Sequence, residues 1–162
     1  MAVVLAIAIL LHNVEEWVAL GLMPEVLGQV RSLTGFSVPD IATIRAGLVA
    51  FAVFPLVILR RFAVAPTPRL TFVACMIAAM TATNALAPHL VLALATGSYV
   101  PGLASAMTLT LPAGLWTLLR ARVDRWLPTG QWLAAIAIGI VLVPAVLLGF
   151  WALGELIAEL FG

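Results

Sequence analysis

The chain has 162 residues, of which 64% are apolar and only 9% charged, with a mean hydropathy of +1.20. Soluble domains run about 45–50% apolar and about 25% charged, and disordered chains need the opposite balance, so the composition argues against both. Eight arginines, no lysine and seven acids leave a net charge of +1, which speaks against a basic nucleic-acid-binding face.

A membrane-spanning helix needs roughly 20 mostly apolar residues. Five such runs fit: residues 2–22, 41–59, 70–95, 102–119 and 132–157. The expected architecture is all-α, a single polytopic transmembrane helical bundle. The first run starts almost at Met1, has no basic flank and carries His12, Glu15 and Glu16. It is therefore expected to stay rather than be cleaved as a signal peptide. Between runs one and two, Glu25–Leu33 is expected to form a short interfacial helix, punctuated on either side by Pro24, Gly35 and Pro39. Run two ends at Arg60-Arg61, and the loop after it also holds Arg69. Run three contains Cys75, the single cysteine, which precludes an intrachain disulfide and is expected to be a small packing residue. Its Ala74, Ala78 and Ala82 stripe predicts close helix packing. Run four is followed by Arg120, Arg122 and Arg125, and run five holds Pro144.

Arginine marks cytoplasmic loops. Both basic loops lie inside only if the N-terminus is cytoplasmic and the C-terminus external. Trp126 and Trp132 would then mark the inner interface and Trp151 the outer one, with Glu155 and Glu159 in solvent. The expected compartment is a bacterial cytoplasmic membrane.

Ionisable groups inside a span cost about 2.5–3.5 kcal/mol each on insertion scales, and mark function by default. On a helix, Glu15 projects about 60° to one side of His12 and Glu16 about 40° to the other. One imidazole and two carboxylates on one face suit a metal, an acid/base pair or a proton relay. A second polar group holds Thr81, Thr83, Asn84 and His89. Asn84 and His89 are about 140° apart on a straight helix, and share a face only if the helix distorts. Pro88 supplies a reason for that. At about 1.5 Å per residue, both groups fall in the external half of the core. Arg45 and Thr108 lie at a similar depth. One polar cavity opening outward is expected. The plainer readings are a hydrogen-bonded cluster that only fixes helix packing, Arg45 as an interfacial anchor, and Thr108 bonded to its own helix.

His12-Asn13-Val14-Glu15-Glu16 near the start of a small polytopic chain resembles the HXXEE-domain family, and the likeness extends to Asn84, His89 and Pro101-Gly102. The resemblance implies a site at His12, Glu15, Glu16, Asn84 and His89, with Pro101 and Gly102 shaping the entry to run four. It names no reaction.

The leading expectation is a metal-dependent intramembrane hydrolase acting on a lipid or other hydrophobic small molecule. His12, Glu16 and His89 would hold a divalent metal, zinc before iron or manganese. Glu15 or Glu16 would be the general base, and Asn84 and Arg45 would stabilise negative charge. The same residues without metal suit acid/base isomerisation. An ion, proton or metal transporter, or a structural membrane subunit, is the alternative, and a homo-oligomer would supply what one short chain lacks. The bilayer and a hydrophobic substrate are the expected partners, with no nucleic acid.

Overall fold

The computed structural model describes residues 1–23, 25–35 and 40–161. The side chains of residues 34, 150, 151 and 153–161 are not described, so Trp151, Glu155 and Glu159 lie outside the described side chains, as do Pro24 and Pro39 altogether. Among the described residues all regular structure is helical. The order is α1 (Ala2–Leu22), α2 (Glu25–Thr34), α3 (Ile41–Val64) and α4 (Pro68–Asn84), which passes through a wide turn (Ala85–Leu90) into α5 (Val91–Thr96). α6 (Leu103–Ser105), a second wide turn (Ala106–Thr110) and α7 (Leu111–Val123) form one helical path, and α8 (Thr129–Phe161) follows.

Local chemistry sets several of these boundaries. Asp40 caps α3, accepting from the Thr43 N–H at 2.6 Å, and that bond holds its carboxyl below the ordinary value. Thr67 caps α4 by accepting from the Leu70 N–H at 3.2 Å, with Pro68 in the first turn, where its missing N–H costs nothing. Gly97, at φ +63°, ends α5. α3 runs to Val64 rather than stopping at Arg60, because Arg61 in its last turn complements the exposed carbonyls there.

Among the described residues, four helices are long and apolar enough to cross a membrane: Ala2–Leu22, Ile41–Val64, Pro68–Thr96 and Thr129–Gly149. The fifth expected span, 102–119, is not among them, so by length and composition there are four candidates where five were expected. Its path is divided into helical pieces of three and thirteen residues around a wide turn of five. Ser105, Thr108, Thr110, Pro112, Gly114 and Thr117 dilute its apolar character. Thr108, Thr110 and Thr117 each donate to the carbonyl four residues back, so they sit in the path without needing another partner.

α4 stands at the centre, with α3, α7 and α8 packed on it and α1 against α3 and the α6–α7 path. Small residues make this possible. A Cβ on Gly114 of α7 would come within 2.6 Å of the Ala78 carbonyl and 3.0 Å of Ala82. One on Gly139 of α8 would come within 2.6 Å of the Met76 carbonyl. The alanine stripe of α4 is thus a close-packing surface for two neighbours, and Cys75 is fully buried within it. Trp126 packs on Phe62, and the Trp132 indole donates to the Leu118 carbonyl at 3.1 Å. Leu5, Ala8, Leu59, Ala74, Ile77, Leu118 and Ala135 form one apolar core. That core fills the half of the bundle holding the N-terminus. His12, Glu16, Asn84 and His89 lie beyond it, at the cavity. Large apolar side chains such as Val53, Phe54, Leu133 and Val141 point outward, as a lipid-facing surface requires.

Candidate functional site

α1 places His12 and Glu16 four residues apart on one face, with His12 Nε2 3.6 Å from Glu16 Oε2. His89 arrives from the broken end of α4. Ala87, the residue before Pro88, is extended at φ −136° and ψ 115°, the conformation a proline forces on its predecessor. The break returns His89 to the face that Asn84 occupies. Its ring stands edge-on to that of His12, with centroids 4.8 Å apart at 89°. Asn84 Nδ2 lies 3.4 Å from His12 Nε2. One ligating atom from each of His12, Glu16 and His89 falls within 4.8 Å of the other two. The imidazoles are 5% and 3% exposed, and among the described residues His89 Nδ1 has no hydrogen-bond partner. An unanswered buried polar group costs about 1–3 kcal/mol, so this nitrogen is costly to the fold unless something else binds it.

Ser105 fixes the orientation of His12. Its hydroxyl donates to the Gly102 carbonyl at 3.4 Å, and its Oγ lies 3.1 Å from His12 Nδ1. With the hydroxyl proton turned to Gly102, Oγ accepts from Nδ1–H. The lone pair of His12 is thereby placed on Nε2, facing Glu16 and Asn84. The two adjacent glutamates divide their tasks. Glu15 turns away from the imidazoles and accepts from the Ser105 N–H at 2.7 Å, the Ala104 N–H at 3.3 Å and the Tyr99 hydroxyl. It therefore satisfies the free N–H groups at the start of the α6–α7 path. Partial burial and the Glu15 carboxylate hold the Tyr99 phenol above its ordinary value, which keeps it a donor. Gly102 lies between the two histidines, where a Cβ would come within 2.9 Å of Cε1 of both His12 and His89.

The cluster forms one wall of a cavity of about 220 Å³. His12, Asn13 and Glu16 of α1, and Thr81, Asn84 and His89 of the α4–α5 segment, supply most of its polar groups. α2, α3 and α8 supply an almost wholly apolar lining. The structure thus brings together His12, Glu16, Asn84 and His89. It does not bring Arg45 to them. Arg45 Nη2 donates to the Trp17 carbonyl at 3.1 Å and its guanidinium stacks 5.0 Å over the Trp17 ring, so it anchors α3 to α1 outside the cavity lining. Thr108 bonds to its own helix. Ser105 and Tyr99 carry no sequence signal: a serine in a run of small residues and a tyrosine in a turn are both ordinary. Removing the Ser105 hydroxyl takes away the side-chain contact at His12 Nδ1. Ser105→Ala is expected to weaken any ligand held on Nε2 by about 10–100-fold, measurable by isothermal titration with zinc.

Membrane-length apolar helices around a buried pair of histidines and a carboxylate give the chain the make-up of a polytopic membrane protein with a polar intrabundle site. The sequence model of the family described as "Protein of unknown function with HXXEE motif" matches residues 3–117, and the chain belongs to that family. The motif falls on His12, Glu15 and Glu16, the residues that face the cluster and the helix start behind it. No curated protein and no solved structure matches the chain.

Proposed function

We propose that the protein is a metal-dependent intramembrane enzyme, a hydrolase acting on a lipid or other hydrophobic molecule. The observation that carries this reading is the approach of His12, Glu16 and His89 within 4.8 Å at the polar wall of an otherwise apolar cavity. Two imidazoles and one carboxylate form a donor set for zinc, and equally for iron or manganese. Bonds of about 2.0–2.1 Å in a tetrahedron put ligand atoms about 3.4 Å apart. The His12–Glu16 separation of 3.6 Å is already close to that, and closing the widest spacing, 4.8 Å, by about 1.4 Å would bring in the third. Metal is what would answer the buried His89 Nδ1 or its partner nitrogen, and would supply a bound water acidic enough to attack near neutral pH. Asn84, beside His12 Nε2, would donate to the developing oxyanion. Glu15, occupied at the helix start, would hold Ser105 and through it His12, leaving Glu16 as the ligand.

Elemental analysis of the purified chain tests the reading. About one divalent ion per chain is expected, with chelation lowering the melting point and added zinc, iron or manganese restoring it. A ligand at about 100 times its Kd contributes about 2.7 kcal/mol to folded-state stability, well above the noise of a melt in detergent. Metal-free protein whose melting is indifferent to all three ions would overturn the metal reading. Ion flux through reconstituted vesicles, without chelator-sensitive hydrolysis, would replace the enzyme by a transporter.

We further propose that the N-terminus is cytoplasmic and the C-terminus external, with the α6–α7 path crossing as a fifth, less apolar segment. The arginines at 60, 61 and 69 and at 120, 122 and 125 support this. Single cysteines placed at residues 65–67 should resist membrane-impermeant thiol reagents applied from outside cells. Ready external labelling would reverse the orientation.

A further inference from the structure

The cavity divides by chemistry as well as by wall. Against the histidines stand Val26 and Val30 of α2, Leu48 and Phe51 of α3, and Val143 and Leu147 of α8. An apolar cavity of about 150 Å³ stays dry and takes up benzene; this one has about 220 Å³. Its walls are unevenly joined. α8 packs along α4 and α3 packs along α1, but among the described residues α3 and α8, which both line the cavity, meet at few points. The outer surfaces of both helices are apolar, with Val53 and Phe54 of α3 and Val141 and Leu148 of α8 exposed.

We infer that the cavity takes a molecule with a single apolar chain and one polar head, admitted from the bilayer through the seam between α3 and α8. The head lies against the His12–Glu16–His89 wall and the chain against α2, α3 and α8. A head with two bulky polar groups would leave one of them unpaired against valine and leucine, at the cost of an unsatisfied buried group. A chain moving from lipid to this lining exchanges one apolar surrounding for another, so chain burial alone holds it weakly. The polar wall must supply the binding preference. The assignment of the head rests on the metal reading above; the path of the chain does not.

The test uses the full chain in lipid nanodiscs and dodecanoic acid carrying a mid-chain diazirine, with cross-links mapped by mass spectrometry. Labelling is expected on Leu48, Phe51 and Val143. Excess unlabelled dodecanoic acid should suppress it there, while labelling of the outward-facing Phe54 persists, because bulk lipid contact does not saturate. Leu48→Trp and Val143→Trp, filling the chain wall from opposite sides, should each cut cavity labelling about tenfold, roughly 1.4 kcal/mol, with metal content unchanged. Labelling confined to Phe54 and other outward residues, or suppressed equally at Phe54 and in the cavity, would overturn the proposal without reference to either variant. Saturable cavity labelling that persists in metal-free protein would uphold the chain path and count against the metal reading alone.

Discussion

On the metal reading proposed above, Glu16→Gln is expected to lose divalent-metal binding and remain folded. The substitution preserves shape and removes the charge, and a neutral amide is a poor ligand beside two imidazoles. Loss of a second-layer partner already weakens metal sites by about 10–100-fold, so loss of a ligand should reach at least about a hundredfold. His89→Ala should match it, since His89 is the one of these three candidate ligands contributed from outside α1. Three outcomes are separable by elemental analysis alongside thermal melts. If Glu16 is a ligand, metal and activity fall together. If Glu16 is a base for water held by other groups, metal stays while activity falls. If the cluster only packs helices, Glu16→Gln melts no earlier than the parent, because a buried acid has been removed. The last result would reduce the site to a structural device.

The bundle was legible in the sequence wherever apolar runs were long and uninterrupted, as in α1, α3 and α8. The 102–119 segment fell short because a wide turn at Ala106–Thr110 divides its path into short helices, a break that hydropathy does not show. The site was half legible. His12, Glu16, Asn84 and His89 stand out as polar groups in costly places, and Pro88 gave a physical reason for the helix to break. Adjacent residues on a helix diverge by about 100°, so one of Glu15 and Glu16 had to turn from the cluster. Which one turns depends on where the α6–α7 path begins, a tertiary fact. Arg45 has the chemistry of a counter-charge, but the Trp17 carbonyl and ring claim it. Ser105 lies 93 residues from His12, and nothing in its neighbours betrays the contact.

Gly102→Ala is expected to disable the site by a route that a backbone control can isolate. Gly102 holds φ +83°, and its missing Cβ leaves room for both imidazoles, whose Cε1 atoms would lie 2.9 Å from an added methyl carbon. Contacts that short force both rings to move, and His12 cannot move without stretching its bond to Ser105. The left-handed backbone itself costs an alanine roughly 1–2 kcal/mol. Gly97 shares that cost at φ +63° but has open space where its Cβ would go. Gly97→Ala and Gly102→Ala should therefore melt earlier by comparable amounts from backbone strain. Only Gly102→Ala should also lose metal affinity, by about 10–100-fold, the range seen when a ligand's supporting contacts are removed. Equal metal affinity in the two variants would mean that the histidines adjust freely, and that the close fit at Gly102 does not position them.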